Sequence, residues 1–268
     1  MNKDGATPSR TLARLRRILA ATEADARPRG PARAAFRLGL PALDDWLGGG
    51  LMRGTLHEVY ARQGADAAAA AGFGLGLASR AAEGGALVWA RQDLVELDRG
   101  RLYGDGIAAF GLDPRRLLLA RTRDPTAALR VAAEAARCPA VGAALVEIWG
   151  EPRSLDLTAS RRLALAAAAS GVTLVLIRLQ AEPAPSAATS RWSVAASAST
   201  PLEANAPGPP AFDAALLRHR AGLHPRTWRL EWDRDRLSFA TPLPRPLVPV
   251  PADGPAATRD DTPWRRAG

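Results

Sequence analysis

Between Phe36 and Gln180, short apolar runs alternate with helix-length stretches, and that alternation restricts the chain to a largely parallel sheet with helices packed on it. Thr55 to Tyr60 (T-L-H-E-V-Y) reads as a strand, followed by a turn and an Ala/Gly-rich helix from about Ala67 to Ala82. Ala86 to Ala90 is a second strand. A helix around Arg101 to Phe110 leads through the turn Gly111 to Pro114 into a strand at about Leu117 to Arg121. Asp124 caps a helix that runs to Arg137. Val141 to Ile148 is a buried strand, Asp156 to Ser170 a helix, and Val172 to Leu179 another buried strand. Five strands with four intervening helices make a doubly wound α/β domain.

After Gln180 the pattern changes. Ala181 to Thr189 and Ala198 to Pro210 read as loops rich in Pro, Ala and Ser. Arg191 to Ala196, Leu216 to Arg220, Trp228 to Asp233 and Leu237 to Ala240 read as short antiparallel strands that extend the sheet, the last two flanking Arg234 and Asp235 as a hairpin does. Three regions follow: a basic helix and linker over 1–35, one domain over 36–240, and a Pro-rich disordered tail over 241–268.

Charge is concentrated in the first region. Residues 1–36 carry eight basic and three acidic groups, a net of +5 out of +9 for the whole chain. An acidic partner such as DNA is therefore drawn first to this arm. Within it, Leu12, Leu15, Leu19 and Thr22 form a narrow apolar stripe on a helix from Thr11 to about Ala26, with Arg10, Arg14, Arg16 and Arg17 on the other faces. Such a helix can dock in a partner groove, lie on DNA or fold back on its own domain. In the tail, Trp264 is either inconsequential or the anchor of a short linear motif.

Composition excludes some chemistry. Of 36 basic residues only Lys3 is lysine, and it lies in the polar N-terminal segment, so no lysine inside the fold can serve a phosphate loop, a Schiff base or general-base catalysis. One cysteine, Cys138, excludes an intrachain disulfide framework. The histidines His57, His219 and His224 lack metal-ligand spacing. No apolar run is long enough for a membrane span and no signal peptide opens the chain, which reads as soluble and cytoplasmic.

The first strand, turn and helix are where a nucleotide-binding α/β protein places its phosphate loop. That loop needs glycines for backbone N–H groups to wrap phosphates, a lysine on the β/γ oxygens and a hydroxyl on magnesium. Here Tyr60 is followed by Ala61-Arg62-Gln63-Gly64-Ala65-Asp66-Ala67-Ala68-Ala69, with alanine at both contact positions and Asp66 set to repel phosphate.

The preceding residues carry a family resemblance. F-R-L-G-L-P-A-L-D-D-W-L-G-G-G-L-M-R-G-T-L-H-E-V-Y (Phe36 to Tyr60) resembles the segment before the phosphate loop of RecA-type recombinases, a short helix S-L-D-x-x-L-G-x-G-G-L-P-x-G followed by the strand I-x-E-I-x-G. Gly111 to Arg121 resembles the G-V-D-x-x-x-L-L stretch of the same proteins. Together with E-I-W-G-E-P (Glu147 to Pro152), R-W-S-V-A-A (Arg191 to Ala196) and L-L-R-H-R-A-G…W-R-L-E-W-D-R-D (Leu216 to Asp235), the chain is similar to the ImuA family over about Phe36 to Ala240. Those are RecA-like, damage-inducible mutagenesis proteins encoded beside an inactive Y-family polymerase homologue (ImuB type) and an error-prone C-family polymerase.

The resemblance implies a RecA-like core without its chemistry. The phosphate-loop lysine maps to Ala67 and the magnesium hydroxyl to Ala68; the acidic residue ending the second strand maps near Asp93; the magnesium-binding aspartate maps to Glu147. Losing lysine and hydroxyl removes charge-assisted contacts worth on the order of 1.5–3 kcal/mol each. No ATPase activity and no cofactor are expected. The implied function is a scaffold in SOS-induced translesion synthesis, with Leu12, Leu15, Leu19, Trp149 and Trp264 as candidate partner contacts, and RecA and single-stranded DNA as further candidate partners. Direct DNA binding would use Arg14 and Arg17 of the arm, and Arg153, Arg161, Arg162 and Arg191 near Trp149 and Trp192, because recombinases line DNA with the loops after the fourth and fifth strands. A SulA-type cell-division inhibitor, also RecA-like without a nucleotide site, is the alternative; the chain's length and C-terminal extension argue against it.

Overall fold

A computed structural model describes residues 34–202 and 206–242. The arm contacts Leu12, Leu15, Leu19, Arg14 and Arg17, and Trp264 of the tail, lie outside the described residues.

The chain enters through a two-stranded antiparallel ribbon, β1 (Ala35–Phe36) and β2 (Leu51–Met52), bracketing the short helix α1 (Pro41–Trp46). Asp44 ties this segment down by accepting from the backbone N–H groups of Leu38 and Gly39 at 2.6 and 3.0 Å. The Gly48-Gly49-Gly50 run has positive φ throughout, and at Gly50 (φ +121°) a side chain would also strike the Phe36 carbonyl oxygen at 2.2 Å. The glycines of the family motif are thus what lets β2 close on β1.

Among the described residues the main sheet has nine strands. Its parallel part consists of β3 (Leu56–Ala61), β4 (Ala86–Gln92), β5 (Leu117–Thr122), β6 (Val141–Trp149) and β7 (Thr173–Leu179), ordered β3-β7-β6-β4-β5. Beside β3 lie β8 (Ser190–Ala196), β9 (Ala211–His219), β10 (Arg226–Asp233) and β11 (Ser238–Ala240) in sequence order. β6 and β7 are almost wholly buried, as strands covered on both faces must be. One face carries α2 (Ala67–Ala82), the other α5 (Pro125–Ala135) and α6 (Leu157–Ser170). Asp124 and Asp156 cap α5 and α6 by accepting from the N–H groups of Ala127 and Ala159 at 2.8 and 2.7 Å, and Gly171 ends α6 in the left-handed conformation.

The two cores differ in kind. Under α5 and α6 the filling is aliphatic, mostly Ala, Val and Leu. Around α2 the C-terminal strands bring Trp192, Phe212, Trp232 and Phe239 against the helix. Glycines in α2 make room for them: a methyl group on Gly76 would come within 2.6 Å of the Phe239 ring, and one on Gly74 within 2.9 Å of Ile177. Each helical glycine costs about 1 kcal/mol relative to alanine, so close approach of the sheet is what the helix gains in return.

Three sequence expectations need correction. The helix expected around Arg101 to Phe110 is only α4 (Gly104–Ala108), and an unexpected helix, α3 (Asp93–Arg99), starts directly from the end of β4. Its signals were local: Asp93 and Glu96 in the first turn, Arg99 in the last and Gly100 after it. β8 is antiparallel to β9 as expected but parallel to β3, so the change of strand direction falls one strand later than the change of sequence pattern. β9 begins at Ala211, five residues before the expected start, because A-F-D-A-A has too few polar residues to show its alternation. Among the described residues no helix is long and apolar enough to cross a membrane.

Candidate functional site

The segment between β3 and α2 makes one 3₁₀ turn, Gly64–Asp66, and passes directly into the helix. No residue from Ala61 to Ala82 has a positive φ. A backbone nest for an anion needs successive N–H groups turned inward by alternating right- and left-handed residues, and this segment has no left-handed one. Two side chains also lie against it. A methyl group on Gly64 would come within 2.6 Å of Arg99 Nη2 and 3.0 Å of Gln180 Nε2, so a guanidinium from the end of α3 and an amide from the end of β7 lie against the turn. Gln180 adopts φ +49°, a rare conformation for a non-glycine residue. Ala67 and Ala68, at the lysine and hydroxyl positions, present only methyl groups.

Asp66 does not face an anion position, as the sequence suggested. Its Oδ1 accepts from the backbone N–H of Ala196 at 2.9 Å and joins the turn to the end of β8.

Beside the turn is a cavity of about 370 Å³ lined by Ala67, Ala68, Leu75, Trp89, Val95, Ile107, Phe110 and Leu179, with Arg91, Arg99, Arg101 and Glu147 as its charged members. Glu147 lies within β6, beside Arg91 of β4 in the strand register. Arg91 Nε donates to Glu147 Oε2 at 2.7 Å, and Arg91 Nη1 donates to the Gly100 carbonyl at 2.7 Å. The carboxylate is 1% exposed and the arginine side chain 7%. Burial pushes the Glu147 pKa up, and the Arg91 charge and hydrogen bond oppose it. The Trp89 indole N–H is directed at the same carboxylate without closing a hydrogen bond of normal length. Glu147 is thus engaged within the protein, and among the described residues no group of three or more His, Cys, Asp or Glu side chains is placed to hold a metal ion. Asp93, the candidate catalytic carboxylate, starts α3, pairs with Arg121 at 3.4 Å and does not line the cavity.

The candidate DNA contacts do not converge. Arg153 is exposed after β6, and Arg161 and Arg162 are exposed on α6. Arg191 is different: it is the cross-strand neighbour of Glu58 on β3 and pairs with that fully buried carboxylate at 3.0 Å, its own side chain 11% exposed. Ser186 accepts from Arg191 Nη2 and donates to Glu58 Oε2, which pins the loop between β7 and β8 to the sheet. Trp192 points to the opposite face and is fully buried against Phe73, so it cannot stack on a base. Trp149 is half-buried; its backbone N–H donates to Gln92 Oε1 at 2.7 Å, and Arg99 lies 6.0 Å from its ring centroid. Arg91, Arg99 and Gln180, the residues that occupy this region, were not visible as site residues because nothing in the local sequence says which strand ends meet.

No family model matches the chain. It is 32% identical over 215 residues to the protein ImuA of Caulobacter vibrioides, from strains NA1000 / CB15N and ATCC 19089 / CB 15, across 74% of this chain and 77% of each relative. Among solved structures, that of the RadB recombinase superposes with a TM-score of 0.50 at 15% identity, covering 77% of this chain and 99% of the recombinase. The core is therefore RecA-like.

Proposed function

This chain belongs to the ImuA family, and on that premise we propose that it is a non-catalytic accessory protein of error-prone translesion synthesis. It assembles with an inactive Y-family polymerase homologue and an error-prone C-family polymerase. The observation that carries the reading is the turn from β3 into α2: Arg99 and Gln180 lie against Gly64, in a loop with no anion nest and with methyl groups in place of lysine and hydroxyl. Catalysis of phosphoryl transfer depends almost entirely on positioned positive charge and N–H donors around the phosphates. A fold that keeps its sheet without that loop's contacts retains surfaces for assembly. It lacks the means to bind and release nucleotide in a cycle.

Pull-down of the polymerase homologue by the full-length protein and by a deletion of residues 1–30 tests where assembly occurs. Strong loss of capture on deletion places the arm stripe of Leu12, Leu15 and Leu19 in the contact. Unchanged capture moves the contact to the domain. Failure of the full-length protein to capture the homologue contradicts the proposal.

A further inference from the structure

α6 packs on the sheet through Ser160, Leu163 and Ala167, which are buried. At about 3.6 residues per turn the opposite side of the helix presents Thr158, Arg161, Arg162, Leu165, Ala168 and Ala169, and all of them are exposed. Leu165 is 71% exposed, and Leu157, at the margin of this face, 42%. The helix contains no acidic residue, and Asp156 before it is committed to the cap. A surface helix ordinarily turns one apolar stripe to the core and charges of both signs to solvent. α6 is instead apolar on both sides, and its outer side carries charge of one sign.

Neighbouring elements do not neutralise that charge. α5 ends beside the end of α6, where the Ser170 hydroxyl donates to the Ala136 carbonyl at 2.5 Å, and Arg137 just after α5 pairs with Glu134 at 3.7 Å. Among the described residues no carboxylate pairs with Arg161 or Arg162, nor with Arg153, exposed in the turn that leads into α6. Arg161 and Arg162 stand one turn before Leu165, so cations and apolar surface form one patch. Such a patch calls for carboxylates set beside apolar side chains at the same spacing. An amphipathic helix has that spacing, and the methyl groups of Ala168 and Ala169 let its axis approach to about 8–10 Å. Nucleic acid matches less well, because this face has no aromatic ring to stack on a base and a phosphate backbone gains nothing by covering Leu165.

We propose that the outward face of α6 docks an acidic amphipathic helix of a partner protein, with carboxylates on Arg161 and Arg162 and apolar side chains over Leu157 and Leu165. The surface is argued from α6 and its surroundings alone, so it goes beyond the assembly reading and stands or falls without it.

Fluorescence anisotropy of the full chain with a labelled, stapled peptide tests it; the peptide forms about four helical turns, with leucines one turn apart and glutamates on both flanks. The chain binds this peptide, more weakly as salt rises. Arg161→Glu/Arg162→Glu weakens binding by about tenfold or more and Leu165→Gln by about fivefold, each with a wild-type thermal melt. Arg161→Gln/Arg162→Gln replaces the charge reversal if that lowers the melt. Arg226→Glu/Arg234→Glu makes the same change in net charge at exposed positions, at the start of β10 and just after it, and leaves affinity within about twofold. Equal weakening by the β10 pair, unchanged affinity in either α6 variant, equal affinity for a peptide with lysine in place of glutamate, displacement by oligothymidylate in preference to unlabelled peptide, or no binding at low salt each overturns it.

Discussion

His57 shows how far a single side chain can be read from its partners. Its Nε2 meets the Met52 carbonyl at 3.0 Å, and a carbonyl only accepts, so the ring proton sits on Nε2. Nδ1 then accepts from the Ser190 hydroxyl, which in turn accepts from Trp192 Nε1 at 3.0 Å. This chain of bonds suits a neutral ring, and burial holds the pKa down at about 4 against 6.5 when exposed. As pH falls below 6.5 the unfolded ring takes up a proton before the folded one does. The stabilisation is therefore complete above about pH 6.5 and drains away toward pH 4, by about 3 kcal/mol at most. Urea unfolding at a series of pH values should show this acid-side loss, and His57→Gln, which cannot titrate, should flatten it. Equal pH slopes for the two proteins would show that His57 is not the group responsible. The Arg91–Glu147 pair follows the opposite logic. Each charge is tolerable only because the other is present, since an unpaired buried partner costs about 3–5 kcal/mol.

At the scale of elements, the turn from β3 into α2 decides the chemistry. Two missing side chains are a small part of its departure from a phosphate loop; the larger part is a backbone without left-handed residues and a position already covered by Arg99 and Gln180. Restoring only the side chains, as Ala67→Lys/Ala68→Thr, should therefore yield no MgATP turnover in a phosphate-release assay. Turnover by that variant would mean that the backbone is still competent. The sequence already showed the alanines, and periodicity with caps such as Asp124 and Asp156 placed β3 to β7 and most helices. It could not show Arg99 lying on Gly64, since that contact depends on how α3 packs after β4, which no local signal states. It also misplaced Arg191 and Trp192. Both look like a DNA-binding pair in the chain, but adjacent strand residues face opposite ways, and β8 lies inside the sheet, so one meets Glu58 and the other the aromatic core.

For the whole molecule, the sheet separates two ends. The finishing ends of the parallel strands carry the turn against which Arg99 and Gln180 lie and the cavity that holds the Arg91–Glu147 pair. The starting ends carry the entry of the described chain at Ala34 and the exposed Arg218, Arg220 and Arg226. A RecA-like core of this kind keeps a charged cavity beside a turn that has no anion nest, and the turn supports the proposal of an assembly protein that does not cycle nucleotide. Conformational coupling to ATP requires that ATP bind two states with different affinity, and on the proposed reading this protein has no such lever. The most direct measurement is capture of the polymerase homologue by the purified full-length protein, compared in nucleotide-free buffer and in MgATP. A non-catalytic assembly protein gives the same yield of complex in both. A complex that forms only with MgATP, or that MgATP dissociates, would contradict it.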